Sequence, residues 1–157
     1  MVNLTNKKVV IIVASENFRD EEYLTPKEVL EDRGVEVKTV SNKLGIAKGS
    51  GGATTKVDLL VKDVNPNNFD AVVFIGGPGA LQNLDNEISY NLVKATIEQG
   101  KILAAICISP VILAKAGVLS GKEATVWSSP EDREPVKILE ENGAKYVGKK
   151  VAIDNKI

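Results

Sequence analysis

Cys107 and the acidic cluster Asp20-Glu21-Glu22 carry most of the reactive chemistry in a chain of 157 residues that has one cysteine and no histidine. A thiol attacks carbonyl carbon as its thiolate, and a histidine-free chain must make that ion with backbone amides, a helix terminus or a carboxyl group. Cys107 follows the apolar run Ile102-Leu-Ala-Ala-Ile106 and precedes Ile108-Ser109-Pro110. A free cysteine among isoleucines is more often a small core residue than a nucleophile. Its place between a strand and a helix opened by Pro110 argues otherwise, because unpaired amides and the helix dipole there stabilise an anion and lower a thiol pKa toward neutrality. The order strand, cysteine, helix is also that of a nucleophile elbow, although the small residues nearby are Ala104, Ala105 and Ser109 rather than flanking glycines.

Two other stretches lie where they could serve that thiol. Gly76, Gly77 and Gly79 surround Pro78 directly after the buried run Ala71-Val-Val-Phe-Ile75. Alone they read as a tight turn; beside a nucleophile their amides could hold an oxyanion. The three acids suit the first turn of a helix, where the macrodipole favours negative charge. One of them, facing the end of a sheet, could carry a proton for the thiol or hydrogen-bond to it. Periodicity does not choose which.

The elements that must position these residues follow from hydrophobic patterning. Val9–Ala14 is an uninterrupted β-branched run, Val35–Val40 alternates, and Ala71–Ile75 and Ile102–Ile106 are continuous, so each is predicted as a strand. Residues 21–33 and 87–99 carry helical spacing and stop at Gly34 and Gly100. Further helices are expected from Ser109-Pro110 and from Pro130 to Gly143. The alternation predicts an open, mostly parallel α/β sheet with helices on both faces, and the reactive residues all fall at its carboxyl end. Gly45–Thr55 reads as a loop or small hairpin, and Lys145–Gly148 and Lys150–Asp154 as two short strands.

Composition bounds the partners. The length fits one domain, 1–157, with one substantial core. Hydrophobic residues make up 43%, charged residues 26%, and the formal net charge is -1. That balance offers no reason to expect nucleic acid or an acidic membrane. One cysteine and no histidine leave no intrachain disulfide and no Cys/His zinc site, so no metal or cofactor is expected and a reducing, cytoplasmic home is. The polar start shows no targeting signal.

Phe18-Arg-Asp-Glu-Glu22 with Pro26, Phe74-Ile-Gly-Gly-Pro-Gly79 and Ala104-Ala-Ile-Cys-Ile-Ser-Pro110 together resemble the ThiJ/PfpI family of the class I glutamine amidotransferase-like superfamily, over nearly the whole chain. The resemblance implies a flavodoxin-like three-layer sandwich, a reactive Cys107 on the elbow, a buried Glu22, and backbone donors around Gly76, Gly77 and Ile108. It also implies a homodimer or larger homo-oligomer. Phe18 and Trp127 are expected to line the pocket. Family activities include glyoxalases, protein deglycases, intracellular peptidases and oxidative-stress sensors. Peptidase-like members carry histidine directly after the cysteine, where this chain has Ile108, and others carry one further on, in the region that here reads Thr125-Val-Trp127. The expectation is therefore a cysteine-dependent glyoxalase or deglycase acting on small reactive carbonyls such as methylglyoxal, or on glycated protein. A redox sensor is the alternative, and a histidine-free peptidase ranks below both. The family continues into a final strand and helix, which are expected to be missing from this chain.

Overall fold

The computed structural model describes residues 2–157. The chain runs β1 (Lys8–Ile12), β2 (Glu16–Phe18), α1 (Asp20–Glu31), β3 (Glu36–Ser41), β4 (Gly45–Gly49), β5 (Thr54–Val57), β6 (Leu59–Leu60) and β7 (Ala71–Phe74). It continues through α2 (Ala80–Leu84), α3 (Glu87–Glu98), β8 (Ile102–Ala105), α4 (Pro110–Lys115), β9 (Glu123–Ala124), α5 (Glu134–Glu141) and β10 (Lys145–Tyr146). Five strands form one parallel sheet in the order β6-β3-β1-β7-β8.

Side chains alternate across a strand, so a central strand covered on both faces must be apolar at every position. β1 and the residues after it meet that demand. Val10, Ile12 and Ala14 belong to one core with Leu92 and Val93 of α3, Val111–Ala114 of α4 and Leu139 of α5. Val9, Ile11 and Val13 belong to a second core with Phe18 and Tyr23. The sheet therefore sits between two helical layers, the three-layer sandwich expected. From β1 the chain passes first to β3 on one side and later to β7 on the other. The crevice beyond the carboxyl ends of β1 and β7 is the point where strand order reverses, and ligands bind there in such folds.

Gly45–Thr55 is a hairpin: β4 pairs antiparallel with β5 and parallel with β2. Asp20 ties it to α1 by accepting from the amides of Gly51 at 3.2 Å and Ala53 at 2.9 Å. Pro26 lies inside α1; having no N–H, it cannot donate to the carbonyl four residues back, that of Glu22.

One expected strand is absent. Lys150–Asp154 joins no ladder, and the end of the chain is held instead by isolated bonds. Thr125 Oγ1 donates to the Lys149 carbonyl, the Glu123 amide to Asp154 Oδ2, and the Leu103 amide to the Lys156 carbonyl. Only Lys145–Tyr146 of the preceding stretch forms a strand, parallel to β9. A pattern of alternating apolar residues is satisfied as a strand only where a sheet edge accepts it. No helix among the described residues is long and apolar enough to cross a membrane.

Tyr23 joins α1 to two strands, its hydroxyl lying 2.6 Å from Thr39 Oγ1 and 2.8 Å from Thr55 Oγ1. Tyr23→Phe strands buried hydroxyls, and is expected to cost about 1–3 kcal/mol in urea denaturation while leaving the reactivity of Cys107 unchanged.

Candidate active site

The carboxyl end of β8 turns sharply into α4, and Cys107 lies in that turn with φ of 62°. A non-glycine residue in the left-handed region costs of order 1–3 kcal/mol and persists only where its surroundings dictate it. They do so here. The Ile106 amide donates to the Phe74 carbonyl at 3.1 Å, the Ser109 amide to the Ile106 carbonyl at 3.1 Å, and the Trp127 amide to the Cys107 carbonyl at 2.8 Å. The elbow inferred from the order of elements is present, without flanking glycines.

The glycine that the elbow needs comes from another strand. A Cβ at Gly76 would lie 2.7 Å from Cys107 Cβ and 2.9 Å from Glu22 Oε2. Real Cβ atoms do not pack so closely, so only glycine lets the end of β7 lie against both Cys107 and the acid. Gly77 has φ of 109°, and a Cβ there would meet the Arg19 nitrogen at 2.4 Å. The Gly79 amide donates to the Asn17 carbonyl at 3.0 Å and the Arg19 amide to the Gly76 carbonyl at 3.1 Å. The loop after β7 is thus stitched to the segment after β1, and α1 starts where that stitch leaves it.

The three acids separate cleanly. Glu22 is the one that faces the thiol: its Oε2 accepts from the Gly76 amide at 2.9 Å, and a Cβ on Gly76 would meet both that oxygen and Cys107 Cβ. Asp20 holds the hairpin, and Glu21 is exposed, 3.8 Å from the Arg19 guanidinium. The backbone amides of Gly77 and Ile108 favour the thiolate form of Cys107. The Gly76 amide, grouped with them in the sequence reading, is committed to Glu22 and orients the acid instead.

The electrostatics reverse one expectation. Burial, then the negative charge of Glu22, push the Cys107 thiol up from its usual value, and the Gly77 and Ile108 amides offset this only in part. Helix α4 has six residues and begins at Pro110, so its dipole is weak and its first turn lies beyond the sulfur. Desolvating a thiolate beside a carboxylate outweighs what a short helix returns. The balance favours the thiol form of Cys107 over the thiolate.

The two expected pocket residues lie in different surroundings. Trp127 is 47% exposed, and its backbone amide donates to the Cys107 carbonyl. Phe18 is fully buried, its ring edge-on to Tyr23 at 5.3 Å, and it supports the site from within the core. Two contributors were not singled out from sequence: Asn17, which accepts from Gly79, and Ser109, whose hydroxyl donates to the Ile75 carbonyl at 2.8 Å. Asn17 has φ of 59°, and asparagine's tolerance of that region was the available signal.

Because the charge of Glu22 contributes to the raised thiol, Glu22→Gln is expected to move the midpoint of the pH dependence of iodoacetamide alkylation downward. Burial remains in the variant, so the midpoint should stay above that of a free cysteine. An upward shift would contradict the assigned electrostatics.

Known proteins share this arrangement of chain. The deglycase PfpI of Pyrococcus furiosus is 31% identical over 145 residues, covering 92% of this chain and 84% of its own. The glutathione-independent glyoxalase DJR-1.2 of Caenorhabditis elegans is 25% identical over 151 residues, covering 96% of this chain and 78% of its own. The crystal structure of a ThiJ/PfpI domain protein from Brachyspira murdochii superposes with a TM-score of 0.88 at 30% identity, over 97% of this chain and 85% of that one. Residues 7–157 match the DJ-1/PfpI family, and the chain belongs to it.

Proposed function

We propose that this protein is a cofactor-independent cysteine enzyme acting on small reactive carbonyls of the methylglyoxal type, as a glyoxalase or a deglycase. The observation that carries the reading is that Glu22 and Cys107 both lie against the Gly76 backbone, with the Gly77 and Ile108 amides favouring the thiolate. Deglycase and glyoxalase names among the relatives agree with it.

The chemistry needs only this pair. As the sulfur attacks an aldehyde carbon, its proton passes to Glu22; the S–C bond forms, the C=O π bond opens, and the new oxyanion sits among the Gly77 and Ile108 amides. Glu22 returns the proton to that oxygen, giving a hemithioacetal with all charges balanced. For methylglyoxal, Glu22 then takes the proton from the former aldehyde carbon as a C=C bond forms to the neighbouring carbon and the ketone C=O opens; the hydroxyl proton passes to the former ketone oxygen, and Glu22 returns its proton to the neighbouring carbon as the thioester C=O forms. The product is a lactoyl thioester, which water hydrolyses to lactate and free thiol. A raised thiol pKa suits this order, since the proton leaves the sulfur during attack and the acid is poised to accept it.

The competing readings fit less well. Peroxide sensing works best from an exposed, low-pKa thiolate, and Cys107 is partly buried with its pKa raised. Peptide hydrolysis would have to protonate a leaving amine without any imidazole in the chain.

Purified protein is expected to convert methylglyoxal to lactate, followed by a lactate-specific assay. Cys107→Ser should fall to background, and Glu22→Gln should lose about 10²–10⁴-fold in kcat. An intact protein that leaves methylglyoxal and glycated amines unconsumed would exclude the reading.

A further inference from the structure

We infer that Ser109 is a positioning residue for the nucleophile: its hydroxyl locks the elbow to the end of β7 and so keeps the Gly77 and Ile108 amides on the Cys107 sulfur. This deepens the reading above for the same site, while its test on the thiol does not require that the substrate be a carbonyl.

Ser109 stands at the N-cap of α4, where a serine hydroxyl ordinarily accepts from an amide of the helix's first turn. Here it makes no capping bond. It turns the other way and donates to the Ile75 carbonyl at 2.8 Å, across 34 positions of sequence. Both residues are fully buried. Among the described residues this is the only hydrogen bond made by a side chain that joins the turn 106–109 directly to the stretch 75–79.

Its place in the circuit gives it leverage. Ile75 precedes Gly76, whose amide holds Glu22, and Gly77, whose amide points at the sulfur. Ser109 follows Ile108, whose amide points at the same sulfur. The path Ile75-Gly76-Gly77 to the sulfur, then Cys107-Ile108-Ser109 and back to Ile75, is a closed ring. The serine bond shuts it on the side opposite the reacting atom. Backbone bonds from Ile106 to Phe74 and from Arg19 to Gly76 hold the two segments near the ring, and the serine bond fixes Ser109 against Ile75, the residue before the permissive Gly76-Gly77 backbone. A serine that only satisfied a buried carbonyl would affect stability and leave the thiol's titration unchanged.

The test is the pH profile of iodoacetamide alkylation in the wild type, Ser109→Ala and Ser109→Thr, with thermal melts alongside. Loss of the two amide bonds should raise the midpoint in Ser109→Ala and slow alkylation below it by up to about tenfold, one pKa unit. Ser109→Thr, which keeps the hydroxyl, should return the profile toward wild type. If the alanine variant does not fold, Ser109→Gly, which admits water to the Ile75 carbonyl, is read in its place. A folded variant without the hydroxyl whose melting point falls but whose profile is unchanged would reduce Ser109 to a structural role and overturn the inference. Where methylglyoxal is turned over, kcat should fall with KM little altered; where it is not, the alkylation profile still decides.

Discussion

The site depends on one close approach. The end of β7 runs against both a thiol-bearing residue and a carboxyl group, through a space that admits a hydrogen on Cα of residue 76 and no carbon atom. That passage places an amide on Glu22 and the next amide on Cys107. It also brings together groups from positions 22, 76, 77, 107 and 108, supplied by three separate crossings of the sheet. Strain at Cys107 is sustained because the core on both faces of the sheet leaves the turn no room to relax.

Burial then sets the chemistry. Packing takes the thiol partly out of water and sets the charge of Glu22 near it, so a thiolate on Cys107 is costly. A histidine-bearing enzyme can keep a standing thiolate opposite an imidazolium. In the proposed reaction the proton of Cys107 instead passes to Glu22 during attack. The two sulfur-directed amides matter more in such a site than they would beside an ion pair, because they are the main groups that favour the anion.

Much of this was legible from the chain. Runs such as Val9–Ala14 could be buried on both faces only in a parallel sheet, and the helices stopped near their glycines because a left-handed residue ends a helix cheaply. The four long strands and the main helices follow from that. What failed had little periodicity to offer: β2, β6 and β9 have two or three residues, and exist because a neighbouring edge accepts them. Lys150–Asp154 had the pattern of a strand and no edge. Phe18, read as a pocket wall from its place after β1, turned inward because the hairpin and Tyr23 offered a dry surface for its ring.

The sequence by itself determined the fold class, the lone nucleophile, the absence of any imidazole and the family motifs, since these depend on residue identity and local spacing. Charge and periodicity left the choice of acid open, the family resemblance pointed to Glu22, and the tertiary structure shows why it is the one near the thiol. Asp20, Glu21 and Glu22 are equivalent as charges in a first turn, and only the direction in which α1 leaves its stitch to the β7 loop separates them. It also decided the sign of the thiol's shift. A helix terminus nearby is a local feature that lowers a pKa, but burial and a facing carboxylate are sums over the whole neighbourhood. Here those sums are larger than anything a six-residue helix contributes.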